Sequence, residues 1–319
     1  MNFNEKTMQR AVVVVSCAVI ANLLWGSAAS VIKTGYRIFQ VASSDIASQM
    51  LFAGLRFFLA GILTIVLGSL VNGKLLVPAK SSGPKICVLA MFQTVIHYIL
   101  FYMGCANASG TNVSIAVSTS TFFSILFSAL LFRQEKLTAK KLIGCTLGFA
   151  GVVLVNLSSG GGFSLNMSLL GEGAIILTSC SYAMSSCCTK KFSKTENPVM
   201  LCGYQFILGG FVMIAVALLL GGRLAFAGMG GALLILYLAM VSAVAFSLTS
   251  LLMKYNPVSR VSIFGFLNPV FGVIMSIILL GESGQEFGLK GLLALALVCA
   301  GVLVVNFQKR EKNNKKAVS

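Results

Sequence analysis

Two ionisable side chains lie inside the long apolar segments of this chain, and each could bind or carry a charged species. Arg56 lies within the apolar segment 46–71. Its guanidinium could bind the carboxylate of a zwitterionic or anionic molecule through paired hydrogen bonds. It could equally be a structural arginine that donates to backbone carbonyls or to a loop, because a charged group at such a position needs partners. Both interpretations remain open on the sequence alone.

The single histidine, His97, is the second of these residues, and it lies beside Tyr98 in the apolar segment 84–106. Imidazole titrates near neutral pH, so His97 could carry a coupling proton, although a lone helical histidine is more often a polar residue with satisfied hydrogen bonds. No second histidine or nearby carboxylate is available for a metal site, and the nine cysteines show no paired C-x-x-C spacing. The sequence therefore predicts neither a bound metal nor a cofactor.

Carboxylates are absent from the middle of the apolar segments. All the acidic residues fall in predicted loops or at segment ends: Glu5, Asp45, Glu135, Glu172, Glu196, Glu282, Glu286 and Glu311. An exchanger of cations for protons needs a carboxylate embedded at membrane depth that can bind both species in turn. Neutral or zwitterionic solutes are therefore favoured over cations, and Glu135 and Glu282 are expected to cap helix ends.

Uncharged polar and aromatic residues in the apolar segments could form the surface of a solute site. Trp25 and Tyr182 occupy matching positions in the two halves of the chain, so they could enclose a solute from two sides. The alternative is that serine and threonine in such segments mainly allow helices to pack closely. The predicted substrate-binding residues are Asn22, Trp25, Arg56, His97, Ser118, Thr121, Tyr182, Gln205 and Asn268.

The elements that would position these residues are membrane-spanning helices. The chain is 57% hydrophobic and 10% charged, with a mean hydropathy of +0.93, and segments of about 20 apolar residues are long enough to cross a hydrocarbon core of ~30 Å as helices. Helices of a soluble protein would show a polar face, and these segments do not. We predict an all-α integral membrane protein with ten transmembrane helices, at 11–32, 46–71, 84–106, 111–132, 138–157, 169–190, 198–221, 230–253, 259–281 and 287–307.

The basic residues indicate how these helices cross the membrane. The formal net charge of +16 could suggest nucleic-acid binding, but lysine and arginine cluster at the ends of the predicted spans. Ten spans would place nineteen of the 24 basic residues on the side of the N-terminus and four on the other side. By the positive-inside rule, both termini are expected in the cytoplasm of a multi-pass protein of the cell membrane. No nucleic-acid partner is expected.

The two halves of the chain repeat each other. Residues 150–156 read AGVVLVN and residues 300–306 read AGVLVVN, while 54–61 aligns glycine for glycine with 203–210. Each half contains five predicted spans, an odd number, so the two copies must cross the membrane in opposite directions. Inverted repeats are typical of alternating-access carriers, whose substrate site lies between the halves near the bilayer midplane.

Four short segments point to a known family: NLLWGS at 22–27, LRFFLA at 55–60, NPVF at 268–271 and LLGE at 279–282. With these segments the chain resembles the EamA-type branch of the drug/metabolite transporter superfamily. The resemblance implies a central cavity lined mainly by helices 1, 3, 4, 6, 8 and 9. One departure is that Pro269, which predicts a kink in the ninth helix, is matched by Phe122 in the first half.

The same resemblance implies a division of the chain into two five-helix repeats. Its predicted parts are a first repeat at 1–157, an extracytoplasmic connecting loop at 158–168, a second repeat at 169–307 and a basic cytoplasmic tail at 308–319.

Together these features predict a secondary active transporter that exports small metabolites, such as amino acids, by alternating access. Its expected partners are a small-molecule substrate, a proton as the candidate coupling ion and membrane lipid, and the chain is expected to be a monomer or homodimer. The alternatives are a drug or organic-cation efflux carrier, and a non-transport membrane scaffold or lipid scramblase. A membrane enzyme is not expected, because the sequence lacks paired acids, histidine-rich motifs and a G-x-S-x-G elbow.

Overall fold

The computed structural model describes residues 5–42, 44–108, 110–158, 168–280 and 289–306. Every regular element within these ranges is helical, as the apolar segments predict. The predicted connecting loop lies outside the described residues except for its first and last positions. The predicted basic tail, Glu282 and Glu286 lie wholly outside them.

Within the described ranges, ten long helical segments follow one another, and we label them in chain order. Seven are continuous α-helices: α1 (Ala11–Ile38), α2 (Ile46–Asn72), α5 (Ala139–Ser158), α6 (Ala174–Phe192), α7 (Pro198–Leu219), α8 (Gly228–Tyr255) and α10 (Leu289–Asn306). Three include a turn of π-helix or 3-10 helix: α3 (Gly83–Leu89, Ala90–Val95 and Ile96–Asn107), α4 (Gly110–Leu126 and Phe127–Leu131) and α9 (Val258–Ser262, Ile263–Phe266 and Leu267–Leu280). A π-helical turn, Leu169–Gly173, also leads directly into α6.

Eight of these segments, α1 to α4 and α7 to α10, are long and apolar enough to cross a membrane. The other two, α5 and α6, are helical at the positions predicted for the fifth and sixth spans, and their crossing of the membrane remains a prediction. Large apolar side chains such as Leu219 lie exposed, whereas the polar Gln205 is fully buried. Exposed apolar side chains around a partly polar interior are what a multi-pass membrane protein requires.

Helices α2 and α7 cross at glycines, which allow their backbones to come close together. A Cβ atom at Gly54 would lie 3.1 Å from the carbonyl oxygen of Gly210, and one at Gly61 would lie 2.7 Å from that of Gly203. The earlier glycine of α2 therefore meets the later glycine of α7, so the two helices run antiparallel. These four glycines are the ones that the sequence repeat aligns.

Helices α5 and α10, each the last of its half, pack in the same manner. A Cβ atom at Gly144 would lie 2.8 Å from the carbonyl oxygen of Gly301, and one at Gly151 would lie 2.7 Å from that of Ala294. These two helices therefore also run antiparallel, with small residues at the contact, as is usual where helices associate in lipid.

The remaining helices enclose the interior of the bundle. Helix α1 packs against α9 where Gly26 meets Phe271. Helix α6, the predicted counterpart of α1 in the second half, packs against α4, the predicted counterpart of α9, through a 3.1 Å hydrogen bond from the Ser179 hydroxyl to the Ala116 carbonyl. The site described below lies among these four helices and α8.

Helix α9 departs from α-helical geometry at Ile263–Phe266, which form a 3-10 turn. This turn ends three residues before Pro269, the residue at which the sequence predicts a kink. Proline has no backbone N–H, so the carbonyl four residues earlier, that of Gly265, loses its helical donor. The irregular stretch therefore exposes backbone groups next to the interior of the bundle.

Candidate functional site

A small cavity lies between α1, α4, α6, α8 and α9, and we call it the central cavity. Its volume is about 40 Å³, which holds a few water molecules and is far below the ~300–1,000 Å³ of ordinary ligand pockets. The structure is therefore closed around this cavity. The described residues that line it are Ala18, Asn22, Trp25, Ser120, Thr121, Ser124, Tyr182, Thr249, Met253, Val261, Ser262 and Gly265.

Four polar atoms around the central cavity are buried without a hydrogen-bond partner. They are the side-chain oxygen of Asn22, the indole nitrogen of Trp25 and the hydroxyls of Ser124 and Ser262. Buried polar atoms are normally satisfied, so a group of unpaired ones around a cavity indicates a place for water or a solute. The Asn22 amide nitrogen is held by a 2.8 Å hydrogen bond to the Ala18 carbonyl, which leaves its oxygen as the acceptor.

Aromatic rings form another part of the wall. Trp25 packs edge-on against Phe246, with ring centroids 5.1 Å apart. Tyr182 lines both the central cavity and a smaller adjoining one of about 10 Å³, which Gln93 of α3 also lines. The structure thus brings Trp25 and Tyr182, the pair matched by the repeat, to the same cavity. Together the two cavities are lined by α1, α3, α4, α6, α8 and α9, the helices that the resemblance implies.

Four of the nine predicted substrate-binding residues line the central cavity: Asn22, Trp25, Thr121 and Tyr182. Thr121 also joins two helices, because its hydroxyl donates to the Ser262 carbonyl at 3.2 Å. The eight lining residues that the sequence prediction missed are Ala18, Ser120, Ser124, Thr249, Met253, Val261, Ser262 and Gly265. Thr249 and Met253 lie one turn apart on α8, a spacing that could have indicated a shared face.

The other predicted residues lie elsewhere in the bundle. The ring nitrogen Nδ1 of His97 lies 3.3 Å from the Thr178 carbonyl, at the contact of α3 with α6. The Gln205 side-chain oxygen accepts a 2.8 Å hydrogen bond from Thr94. The Ser118 hydroxyl donates to the carbonyl one turn earlier in its own helix, and Asn268 is half-buried away from the lining.

Arg56 is also buried away from the central cavity, with 4% of its surface exposed. Its guanidinium carbon lies 4.3 Å from the ring centroid of Phe57 and 5.8 Å from that of Tyr98. Its Nε atom has no hydrogen-bond partner. Arg56 therefore lies outside the central cavity.

The chemistry of the central cavity is that of a neutral polar site. None of the described residues that line it carries a charge. The described part of the chain also contains no cluster of three His, Cys, Asp or Glu side chains that could hold a metal ion. The cavity can therefore offer hydrogen bonds and aromatic surface to a solute.

A buried carboxylate joins the loop after α4 to the start of α9. Glu135 accepts hydrogen bonds from the Ser128 hydroxyl, from the Lys141 ammonium at 2.8 Å, and from both the backbone N–H (2.9 Å) and the hydroxyl of Ser259. The predicted role of Glu135 as a helix cap agrees with its bond to the Ser259 N–H in the first turn of α9. Ser259 lies three residues before Ser262, so Glu135 fixes the segment of α9 that closes one end of the cavity.

We expect Glu135→Gln to destabilise the protein by about 1–3 kcal/mol, because it removes charge-assisted hydrogen bonds from a buried network. Burial alone would raise the pKa of Glu135, but the hydrogen bonds from Lys141, Ser128 and Ser259 outweigh it, and the pKa lies below the ordinary value of 4.5. A carboxyl with a lowered pKa stabilises the folded state above its unfolded pKa and loses this contribution as the pH falls through its folded pKa. As the pH falls from the unfolded pKa of Glu135 through its folded pKa, the melting temperature of the native protein should therefore fall more steeply than that of Glu135→Gln.

Glu196→Gln is the matched control for this prediction. Glu196 pairs with Lys85 at 2.6 Å, but both side chains are partly exposed, and exposed ion pairs contribute little to stability. An equal loss of melting temperature in the two variants would contradict a special role of Glu135.

Comparison with known proteins shows which family this chain is similar to. The model of the EamA-like transporter family matches residues 13–157 and 169–307. A protein named as an uncharacterized transporter of Methanothermobacter thermautotrophicus is 28% identical over 41% of this chain, which covers only 38% of that relative. The uncharacterized inner membrane transporter YedA of Escherichia coli is 24% identical over 90% of this chain and 88% of its own length.

The fold is also found in a crystal structure. That structure is 17% identical in sequence and superposes with a TM-score of 0.74 over 91% of this chain and 95% of the other. At this identity the likeness concerns the fold alone.

Proposed function

Because the chain belongs to the EamA-like transporter family, we propose that it is a secondary active carrier that exports small metabolites, such as amino acids, by alternating access. The observation that carries this proposal is the central cavity, where four buried polar atoms on α1, α4 and α9 have no partner. A scaffold would gain nothing from leaving these atoms unsatisfied, because each costs about 1–3 kcal/mol. A carrier can satisfy them with its solute.

The proposed carrier is built from two inverted five-helix repeats. The antiparallel crossings of α2 with α7 and of α5 with α10 support this proposal, because each pair consists of equivalent helices of the two halves. Two copies that face opposite ways can exchange the roles of inner and outer gate. Lysine and arginine near the predicted cytoplasmic ends support a cell-membrane protein with both termini inside. Reporter fusions at the two termini test this orientation, and a periplasmic or extracellular signal at either end would contradict it.

The lining of the central cavity supports a neutral or zwitterionic solute. The Asn22 oxygen can accept from an N–H group, the Trp25 indole can donate to a carbonyl or carboxylate, and the serine hydroxyls can do either. A permanently charged cation would lose its hydration shell in a cavity without a described carboxylate. The one feature that favours organic cations is the aromatic wall of Trp25 and Tyr182, which could attract a cation through its ring faces.

The closed state of the cavity implies how transport would proceed. A cavity of about 40 Å³ admits water but no metabolite, so either side must open before the solute enters. On the proposed cytoplasmic side, opening would have to displace the α9 segment that Glu135 and Thr121 hold. The hydrogen bonds of these two residues would then re-form when the carrier closes again.

The test of the proposed function is a release assay in proteoliposomes. Vesicles that contain the purified protein are loaded with a mixture of amino acids, nucleosides and organic cations, and the released compounds are identified by mass spectrometry. We expect amino acids or similar zwitterions to leave faster than from protein-free vesicles. Release of cations alone would support the efflux alternative. No release of any of these compounds would contradict a carrier.

The same vesicles test the remaining alternatives. An imposed pH gradient tests whether a proton is the coupling ion. If it is, solute release should be faster with the gradient in one direction than with the gradient reversed. Fluorescent lipid added to the inner leaflet reports scrambling, which a solute carrier should not catalyse.

A further inference from the structure

Arg56 is a buried cation without a carboxylate partner in the described part of the chain. Each acidic residue described there has another contact: Glu5 with Gln9, Asp45 with Ser48, Glu135 with Lys141, Glu172 with Asn112 and Glu196 with Lys85. Charged groups at membrane depth are almost always paired, because an isolated charge in a medium of low polarity costs several kcal/mol. The positive charge of Arg56 therefore calls for a negative partner.

Three tyrosines surround this guanidinium. Tyr36 of α1 and Tyr98 and Tyr102 of α3 all interact electrostatically with Arg56 of α2. The Arg56 Nε atom is buried without a hydrogen-bond partner, whereas the hydroxyls of Tyr36 and Tyr102 interact with each other. Arginine can only donate hydrogen bonds, so the unpaired Nε atom and the positive charge of Arg56 call for an acceptor. That combination suits a small anion.

The other half of the chain shows that the fold does not need a charge at this position. Gln205 on α7 is the repeat counterpart of Arg56, and it is neutral, fully buried and paired with Thr94 at 2.8 Å. A neutral side chain with a partner from α3 thus fills the equivalent place. The charge of Arg56 and its unpaired Nε donor are therefore additional to what packing requires.

The cluster is separate from the central cavity. None of its members lines that cavity, and Tyr36 lies eleven residues beyond Trp25 on α1, which is roughly 16 Å along a helix. Tyr102 packs in the same apolar cluster as Phe57, so the donors are enclosed by apolar side chains. Such surroundings strengthen the attraction between the guanidinium and an anion.

We propose a binding site for a small monovalent anion, either a free halide or a carboxylate group, formed by Tyr36, Arg56, Tyr98 and Tyr102. This site does not depend on which solute the central cavity accepts. It would neutralise Arg56 and hold α1, α2 and α3 together at one end of the first half.

The test measures anion-dependent stability of the purified protein. The melting temperature is recorded as gluconate, which is too large for the site, is replaced by chloride or by acetate at constant ionic strength. We expect a saturable rise of ~2–5 °C in the native protein and none in Arg56→Gln, which carries the neutral side chain of the other half. A rise with acetate but not chloride would identify a carboxylate as the ligand, and a rise with chloride would identify a free halide.

Further variants keep the test decisive if Arg56→Gln fails to fold. Tyr36→Phe and Tyr102→Phe each remove one donor and keep the aromatic ring, so we expect half-maximal stabilisation to need several-fold more anion. Tyr204→Phe, which changes a half-buried tyrosine on α7 outside the cluster, is the matched control and should respond like the native protein. The proposal is overturned if the native protein shows no anion-specific rise, or if the two cluster variants respond like Tyr204→Phe.

Discussion

Asn22→Leu is expected to reduce solute transport at least tenfold while the protein still folds. Leucine has the same branched arrangement of heavy atoms as asparagine, but it removes the unpaired side-chain oxygen that Asn22 presents at the central cavity. A hydrogen bond from a solute to this oxygen would be lost, and a loss of about 1.4 kcal/mol or more corresponds to a tenfold change. The measurement is the initial rate of solute release from proteoliposomes with matched amounts of folded protein.

Asn156→Leu is the matched control for this experiment. Asn156 is buried on α5 and donates to the carbonyl of Val152 at 2.8 Å, the same internal bond that Asn22 makes with Ala18. It does not line the central cavity, so its replacement should cost a similar amount of stability and leave the transport rate per folded protein unchanged. Equal transport by Asn22→Leu and Asn156→Leu would remove Asn22 from the site.

A charged side chain in place of Asn22 provides a second test. Asn22→Asp would introduce a carboxylate into a cavity whose described lining is uncharged. We expect zwitterion release to fall and organic-cation release to appear or rise, since the carboxylate would now offset the charge of a cation. Unchanged selectivity in this variant would contradict the assignment of neutral chemistry to the cavity.

The helices of this protein were predictable because their cause is local. Every apolar segment proposed from the sequence coincides with a described helix, since a run of about 20 apolar residues has few other stable states in a membrane. The repeat was visible for the same reason: Gly54 and Gly61 recur as Gly203 and Gly210 because both copies need close helix contacts there. The exact number of membrane crossings depends on the lipid boundary and remains a prediction.

The site was predictable only in part, because the sequence gives the depth of a residue in the membrane better than the direction in which it faces. Asn22, Trp25, Thr121 and Tyr182 were predicted as polar or aromatic residues within the apolar segments. Residues such as Ser118 and Gln205 satisfied the same criteria, yet their side chains bond within or between helices. Ser262 was missed because its importance arises from the irregular geometry of α9 and from its distant partner Thr121.

The contact between α2 and α7 is expected to be the most sensitive packing point of the fold. A Cβ atom at Gly61 would lie 2.6 Å from the backbone nitrogen of Ile207, and one at Gly210 would lie 2.5 Å from that of Phe58. Neither neighbour is a flexible side chain, so even an added methyl group must push the two helices apart. In lipid, helix association relies on such close packing, since apolar burial between helices is not available as a driving force.

We therefore expect Gly61→Ala and Gly210→Ala each to destabilise the protein by about 1–3 kcal/mol, measured as a lower melting temperature and a smaller monodisperse fraction. The two losses should be similar, because the repeat makes these positions equivalent and both meet backbone atoms. Gly272→Ala is the matched control: this glycine also lies in a membrane helix, α9, but a Cβ atom there would meet nothing within 4 Å. It should be neutral or slightly stabilising, since alanine favours helix more than glycine does. A large loss at Gly272, or a loss at only one of the paired positions, would show that the two halves do not meet through equivalent surfaces.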